Sequence, residues 1–209
     1  MPRQPRPSRR FALSARSRPG LFFVLSLCLL CLSACSLLTP KQESLLPVSP
    51  AVLGDRTVEQ QLQIRWQGGE RVIDAALEIE DGRLRLVLMA FGMRVLSLDY
   101  DGKTFTQERF VPHAPDGVRI LNDLMMIAAP RDELQNALPA GWTLEEHLAS
   151  GISDEGSVSR AAGREIFADG VKQIEIHYAD CFPANPWQGK VTLKNLAKGY
   201  ELILISHEI

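Results

Sequence analysis

Cysteine is scarce in the body of this chain: of four in 209 residues, Cys28, Cys31 and Cys35 fall near the front and Cys181 stands alone beyond them. A disulfide framework needs partners within the folded body, so none is expected there. Long apolar runs are missing as well. The longest, LFFVLSLCLLCL, covers residues 21–32, short of the roughly 20 residues that a spanning helix requires. The sequence contains no H-E-x-x-H, no P-loop and no dinucleotide-binding glycine pattern. GISDEG departs from G-x-S-x-G because its second glycine comes one residue late. His113, His147, His177 and His207 are scattered, and His177 and Cys181, four apart, sit where the pattern reads as a strand running into a proline loop rather than a helix. Glu145-Glu146 and Asp154-Glu155 read as solvated carboxylate pairs. These absences point away from an enzyme and from a bound metal or cofactor.

What is present begins at the front. Arg3, Arg6, Arg9, Arg10, Arg16 and Arg18 precede the apolar run with no acidic residue among them, which is the order of a secretory signal. The run closes on Ser33 and Ala34 directly before Cys35. Leu-Ser-Ala-Cys resembles the lipobox of bacterial lipoprotein precursors, and that resemblance implies cleavage before Cys35 and diacylglycerol and palmitate on the mature cysteine. One acyl chain gives only marginal membrane binding, whereas several make it stable. Ser36 stands where the family's inner-membrane retention signal carries Asp, so the resemblance implies outer-membrane residence facing the periplasm. No cofactor is expected beyond the covalent lipid on Cys35.

Removing residues 1–34 takes six arginines and no acid with it, leaving 175 residues of net charge −8. A chain of that size buries enough surface for one ordinary core, and an acidic body lacks the basic footprint that nucleic acid requires. The expected division is a signal peptide over 1–34, a lipidated tether over 35–55 and a single domain over 56–209. The tether, SLLTPKQESLLPVSPAVLGD, is proline-rich and aperiodic. It has a second reading, as a short element packed on the domain through Leu45, Leu46 and Val52.

The domain opens in strand period. Val58, Leu62, Ile64 and Trp66 alternate with polar residues, and the same alternation recurs in ERVIDAALEIE, RLRLVLMA and MRVLSLDY. Gly68-Gly69, Asp81-Gly82, Gly92 and Asp101-Gly102 supply turns between them, leading on to KTFTQERF as the fifth strand of an antiparallel meander. Asp116 reads as the N-cap of a helix over GVRILNDLMMIAAP, whose apolar residues exceed one stripe, and Pro130 ends it. RDELQNALP adds a short helix. WTLEEHL reads equally as strand or helix, after which SVSRAAGREIF, VKQIEIHYA, WQGKVTLKNL and YELILISHE return to strands. The sequence thus predicts a mainly β domain with a helical insertion (α+β), a curved antiparallel half-barrel of about nine strands covered by helices.

LVLMAFGMRVLSLDYDGKTFT resembles the segment of the LolA and LolB lipoprotein carriers in which two strands meet at an apolar residue followed by Gly. ILNDLMMIAAP and WQGKVTLKNLAKGYELILIS resemble a family of bacterial outer-membrane lipoproteins found beside fatty-acid-like synthesis genes, including those for aryl polyenes. The resemblance covers residues 57–209. It implies a LolB-like sheet enclosing an apolar cavity for a lipid or acyl chain, with an aryl polyene or a lipoprotein as cargo and a lipoprotein carrier or synthesis machinery as partner. Residues expected to line the cavity are Trp66, Leu77, Leu86, Leu96, Leu121, Leu124 and Met125, and Phe91 and Met93 are expected to form a membrane-contacting tip. The same residues also suit a filled core. The alternative function is a structural or scaffolding lipoprotein that presents its acidic surface to a protein assembly.

Overall fold

Alternation of apolar and polar residues from Arg56 onward builds one antiparallel sheet, seen in a computed structural model that describes residues 43–149, 160–179, 181 and 185–209. The expected signal peptide, Cys35, GISDEG, Asp154-Glu155 and the start of SVSRAAGREIF lie outside the described residues. The strands are β1 (Arg56–Trp66), β2 (Gly69–Glu80), β3 (Arg83–Ala90), β4 (Met93–Tyr100), β5 (Phe105–Arg109), β6 (Trp142–Ala149), β7 (Arg160–Ala168), β8 (Val171–Ala179), β9 (Gly189–Asn195) and β10 (Tyr200–Glu208). Helices α1 (Gly117–Ala128) and α2 (Arg131–Ala137) connect β5 to β6.

The strand order is β5-β4-β3-β2-β1-β10-β9-β8-β7-β6. Two meanders are therefore fused where the first strand pairs with the last, in a ladder running from Val58 opposite Glu208 to Trp66 opposite Tyr200. The sheet is open, with β5 and β6 at its edges. It has ten strands rather than about nine, because WTLEEHLA is extended and pairs with β7.

One face of the sheet is apolar. Ile73, Ala75, Leu77 and Ile79 of β2 are buried together with Leu84, Leu86 and Leu88 of β3 and Leu96 and Leu98 of β4. Helix α1 closes over this inner face and contributes Ile120, Leu121, Leu124, Met125, Met126 and Ile127 to the same core, which explains why its apolar surface is wider than one stripe. Asp116 caps it, its carboxylate accepting from the Val118 N–H at 3.2 Å. The outer face carries charge ladders such as Arg85 to Glu78 at 2.9 Å and Arg83 to Asp99 at 2.8 Å.

From Glu43 onward the tether is part of the domain's compact unit. Leu46, Val48 and Leu53 are buried, and Pro50–Leu53 forms a short 3-10 turn capped by Ser49. Residues 43–55, within the span expected as the tether, thus form a strap packed on the domain. The apolar residues of the segment are spaced for burial, and its backbone is held by a side chain of α1: the Leu46 N–H donates to Asn122 Oδ1 at 2.8 Å, while Asn122 Nδ2 donates to the Ser44 carbonyl at 2.9 Å.

Candidate functional site: a cavity at the turn end of the sheet

The inner face of the β1·β10 ladder opens toward one end. Leu62 opposes Leu204, Ile64 opposes Leu202 and Trp66 opposes Tyr200, and exposure rises along β1 from 3 % at Leu62 to 42 % at Trp66. Between these strands and the first turns of α1 lies a cavity of about 340 Å³, walled by Leu62, Ile64, Trp66, Pro115, Ile120 and Leu202. That volume falls at the lower end of the about 300–1,000 Å³ common for small-molecule sites. A shallower depression of about 510 Å³ flanks Trp66 along Arg65, Lys194, Leu196 and Glu201.

One corner of the cavity is polar, formed by Arg119, Asp123, Lys198 and Tyr200. Asp123 is buried within α1, and the Tyr200 hydroxyl lies 2.8 Å from each of its carboxylate oxygens. Asn195 Nδ2 donates to the same hydroxyl at 3.3 Å. Burial raises the Asp123 pKa to about 7, helped by the charge on Glu43 and opposed by Tyr200, Lys198 and Arg119. Burial, together with Asp123, likewise pushes the Tyr200 hydroxyl upward. Glu43 closes the corner from outside the cavity, ion-paired with Lys198 and 3.6 Å from Arg119 Nε. Burial opposes ionisation of Glu43, but Lys198, Asn122 and Arg119 hold its carboxyl below the ordinary carboxylate value.

The same end of the sheet carries an apolar rim. The β1–β2, β3–β4, β7–β8 and β9–β10 turns all close this end, and Trp66, Phe91, Met93, Phe110, Val171 and Leu196 are exposed on or beside them. Phe91 is 99 % exposed and Met93 62 %. Phe91 has φ +52° and Gly92 +73°, and the same pair of positive angles occurs at Asp81-Gly82 and Asp169-Gly170. Two positive φ values define the tight hairpin turn that favours Asn or Asp before Gly. Phenylalanine there is a conformational outlier that makes no use of burial.

Of the residues expected to line a cavity, Trp66 is in its wall. Leu77, Leu86, Leu96, Leu121, Leu124 and Met125 lie in the packed core under α1. Asp123, Arg119, Tyr200 and Lys198 escaped the sequence reading. Asp123 was detectable in principle, since a carboxylate inside the apolar run ILNDLMMIA has to be buried with a partner. Glu146 is also a correction: on a strand, neighbours face opposite ways, so Glu145 is exposed whereas Glu146 turns inward and pairs with the buried Arg164 at 2.8 Å. Exposed Glu145 and His147 bring ligating atoms within 4.8 Å of one from Glu165. Glu165 is already ion-paired with Lys172 and lies 3.3 Å from His147 Nε2. His177 is exposed on β8, and the Cys181 thiol donates to the Lys190 carbonyl at 3.4 Å.

No curated protein matches the chain. Among solved structures, the crystal structure of LolA superfamily protein NE2245 from Nitrosomonas europaea is similar at 10 % identity and a TM-score of 0.43, covering 77 % of this chain and 92 % of that one. The model of the family described as "Protein of unknown function (DUF3261)" matches residues 57–208, and the chain belongs to that family.

Proposed function

We propose that the protein is an outer-membrane lipoprotein, anchored through Cys35, that holds an acyl chain in the cavity beneath Trp66 and exchanges it with the bilayer across the apolar rim. The observation that carries this reading is the coincidence, at one end of the sheet, of the cavity, six exposed apolar side chains and the place where the chain enters the domain. Eight residue steps separate Cys35 from Glu43, and they reach at most about 28 Å. A lipid on Cys35 would therefore hold the rim near the membrane surface. Binding would be non-covalent, with roughly 0.8 kcal/mol for each CH2 group buried, and needs no catalytic group.

The outer-face ladders bear on the scaffolding alternative. Glu78, Asp99 and Glu70 are each paired with an arginine, so these three carboxylates offer a partner little net field.

Native mass spectrometry of the purified protein tests the proposal. A co-purifying acyl-chain species is expected, with its occupancy lost when Leu62→Trp fills the cavity in a protein that still folds. Wild-type protein that neither retains nor takes up such a species would sink the carrier reading.

A further inference from the structure

Resting on the reading of the cavity as an acyl-chain site, we infer that its ligand carries a carboxylate head that docks on Arg119 and Lys198, and that Glu43 occupies this headgroup position when the strap is closed. Both cations line the cavity. They belong to α1 and to the β9–β10 turn, whereas the carboxylate that neutralises them comes from the strap. Glu43 Oε2 takes the ion pair with Lys198 and lies 3.6 Å from Arg119 Nε, and its Oε1 lies 3.5 Å from Asn122 Nδ2.

This carboxylate is placed to be exchanged. The strap is clamped from Ser44 inward, by Asn122 to the Ser44 carbonyl and the Leu46 N–H. Glu43 is the residue just outside that clamp, so its side chain can leave Lys198 without undoing the packing of Leu46 and Val48. Once it leaves, the carboxylates that remain in the cavity lining are Asp123, already held by the Tyr200 hydroxyl, and Asp116, which caps α1 and lies 3.8 Å from Arg109. A positively charged corner then adjoins walls of Leu62, Ile64 and Leu202, the layout that suits an anionic head on an apolar tail. A neutral amphiphile of the same length gains the walls and nothing from the corner.

Competition between internal and ligand carboxylates can be measured with dodecanoate and dodecanol, titrated below micelle formation against the full chain carrying Cys35→Ala. Glu43→Gln is expected to tighten dodecanoate by about tenfold and to leave dodecanol within about twofold. Adding Lys198→Gln to Glu43→Gln should return dodecanoate to its wild-type affinity, with thermal melts confirming that each variant is folded. Equal responses of the two probes to Glu43→Gln, or no response from either, would reject the headgroup site while leaving an apolar cavity that binds chains. Failure of both probes to bind any folded variant would overturn the carrier reading and this inference together.

Discussion

Tyr200 and Asp123 share a hydrogen-bonded contact of 2.8 Å to each carboxylate oxygen at the polar corner of the cavity, one residue from the last strand and the other from the covering helix. Burial raises the Asp123 pKa to about 7, against an ordinary 3.8. The folded protein thus binds a proton over a range where the unfolded chain has released it, and stability falls as pH rises from about 4 toward 7. Glu43, Lys198, Arg119 and Tyr200 are the charged or titratable groups around it. Between pH 5 and pH 8 the wild type is expected to lose on the order of 2 kcal/mol more than Asp123→Asn, which cannot ionise. Urea unfolding of both proteins at the two pH values measures this difference. Parallel pH profiles would mean that Asp123 does not titrate in this window.

Phe91 is predicted to cost stability where it stands. Its φ of +52° is the angle that Asp81 and Asp169 adopt in the equivalent turns, and Asn-Gly is the most favoured pair for this geometry. Phe91→Asn should therefore leave the melting temperature unchanged or raise it, by up to about 1 kcal/mol in stability. Association of the purified protein with vesicles should fall at the same time, because the most exposed apolar side chain of the rim is gone. A variant that melts lower, or one that binds vesicles as the wild type does, would remove the argument for Phe91 as a membrane-contacting residue.

The strap depends on one side chain. Asn122 satisfies both the Leu46 N–H and the Ser44 carbonyl, and a buried donor left without a partner costs about 1–3 kcal/mol. Asn122→Ala is expected to destabilise the protein by that amount and to speed hydrogen exchange at Leu46 and Val48 before it affects β1. Exchange that stays slow at Leu46 would show that packing of Leu46 and Val48 alone holds the strap.

Where a residue's role is set by its immediate neighbours in the chain, the sequence reading of this protein held. Alternation along VEQQLQIRW and the Gly68-Gly69 and Asp81-Gly82 pairs located strands and turns because each depends on neighbours two or three residues away. The β1·β10 ladder was not legible. Pairing Trp66 with Tyr200 joins residues far apart in the chain, and neither strand's pattern names its partner. The leucines most regular in period, Leu77, Leu86 and Leu96, are buried in the core. The cavity lies instead between Ile64 and Trp66 at the end of β1 and the first turns of α1. For the strap two readings stayed open, because its prolines interrupt the apolar spacing and Asn122, the side chain that holds it, lies far along the chain.

Arg164 gives a prediction of large effect. Its guanidinium is 3 % exposed, pairs with Glu146 at 2.8 Å, and donates through Nη1 to the carbonyls of Met126, Ile127 and Ala129 at 3.1, 3.2 and 2.8 Å. The last carbonyls of a helix have no partner of their own and carry partial negative charge, so one buried cation satisfies the end of α1 and fixes the helix that covers the cavity. Tyr178 supports it, its hydroxyl donating to the Ile127 carbonyl at 2.6 Å. Arg164→Met leaves the carbonyls and a half-buried carboxylate without their donor and is expected to cost about 3–5 kcal/mol. Tyr178→Phe, which removes one of two donors to one carbonyl, should cost no more than about 1–2 kcal/mol. Adding Glu146→Leu to Arg164→Met should recover only part of the loss, because the Met126 and Ala129 carbonyls still lack the donor that Arg164 supplied. Urea midpoints of the three variants measure these costs, and full recovery in the double variant would show that the arginine serves the carboxylate rather than the helix end.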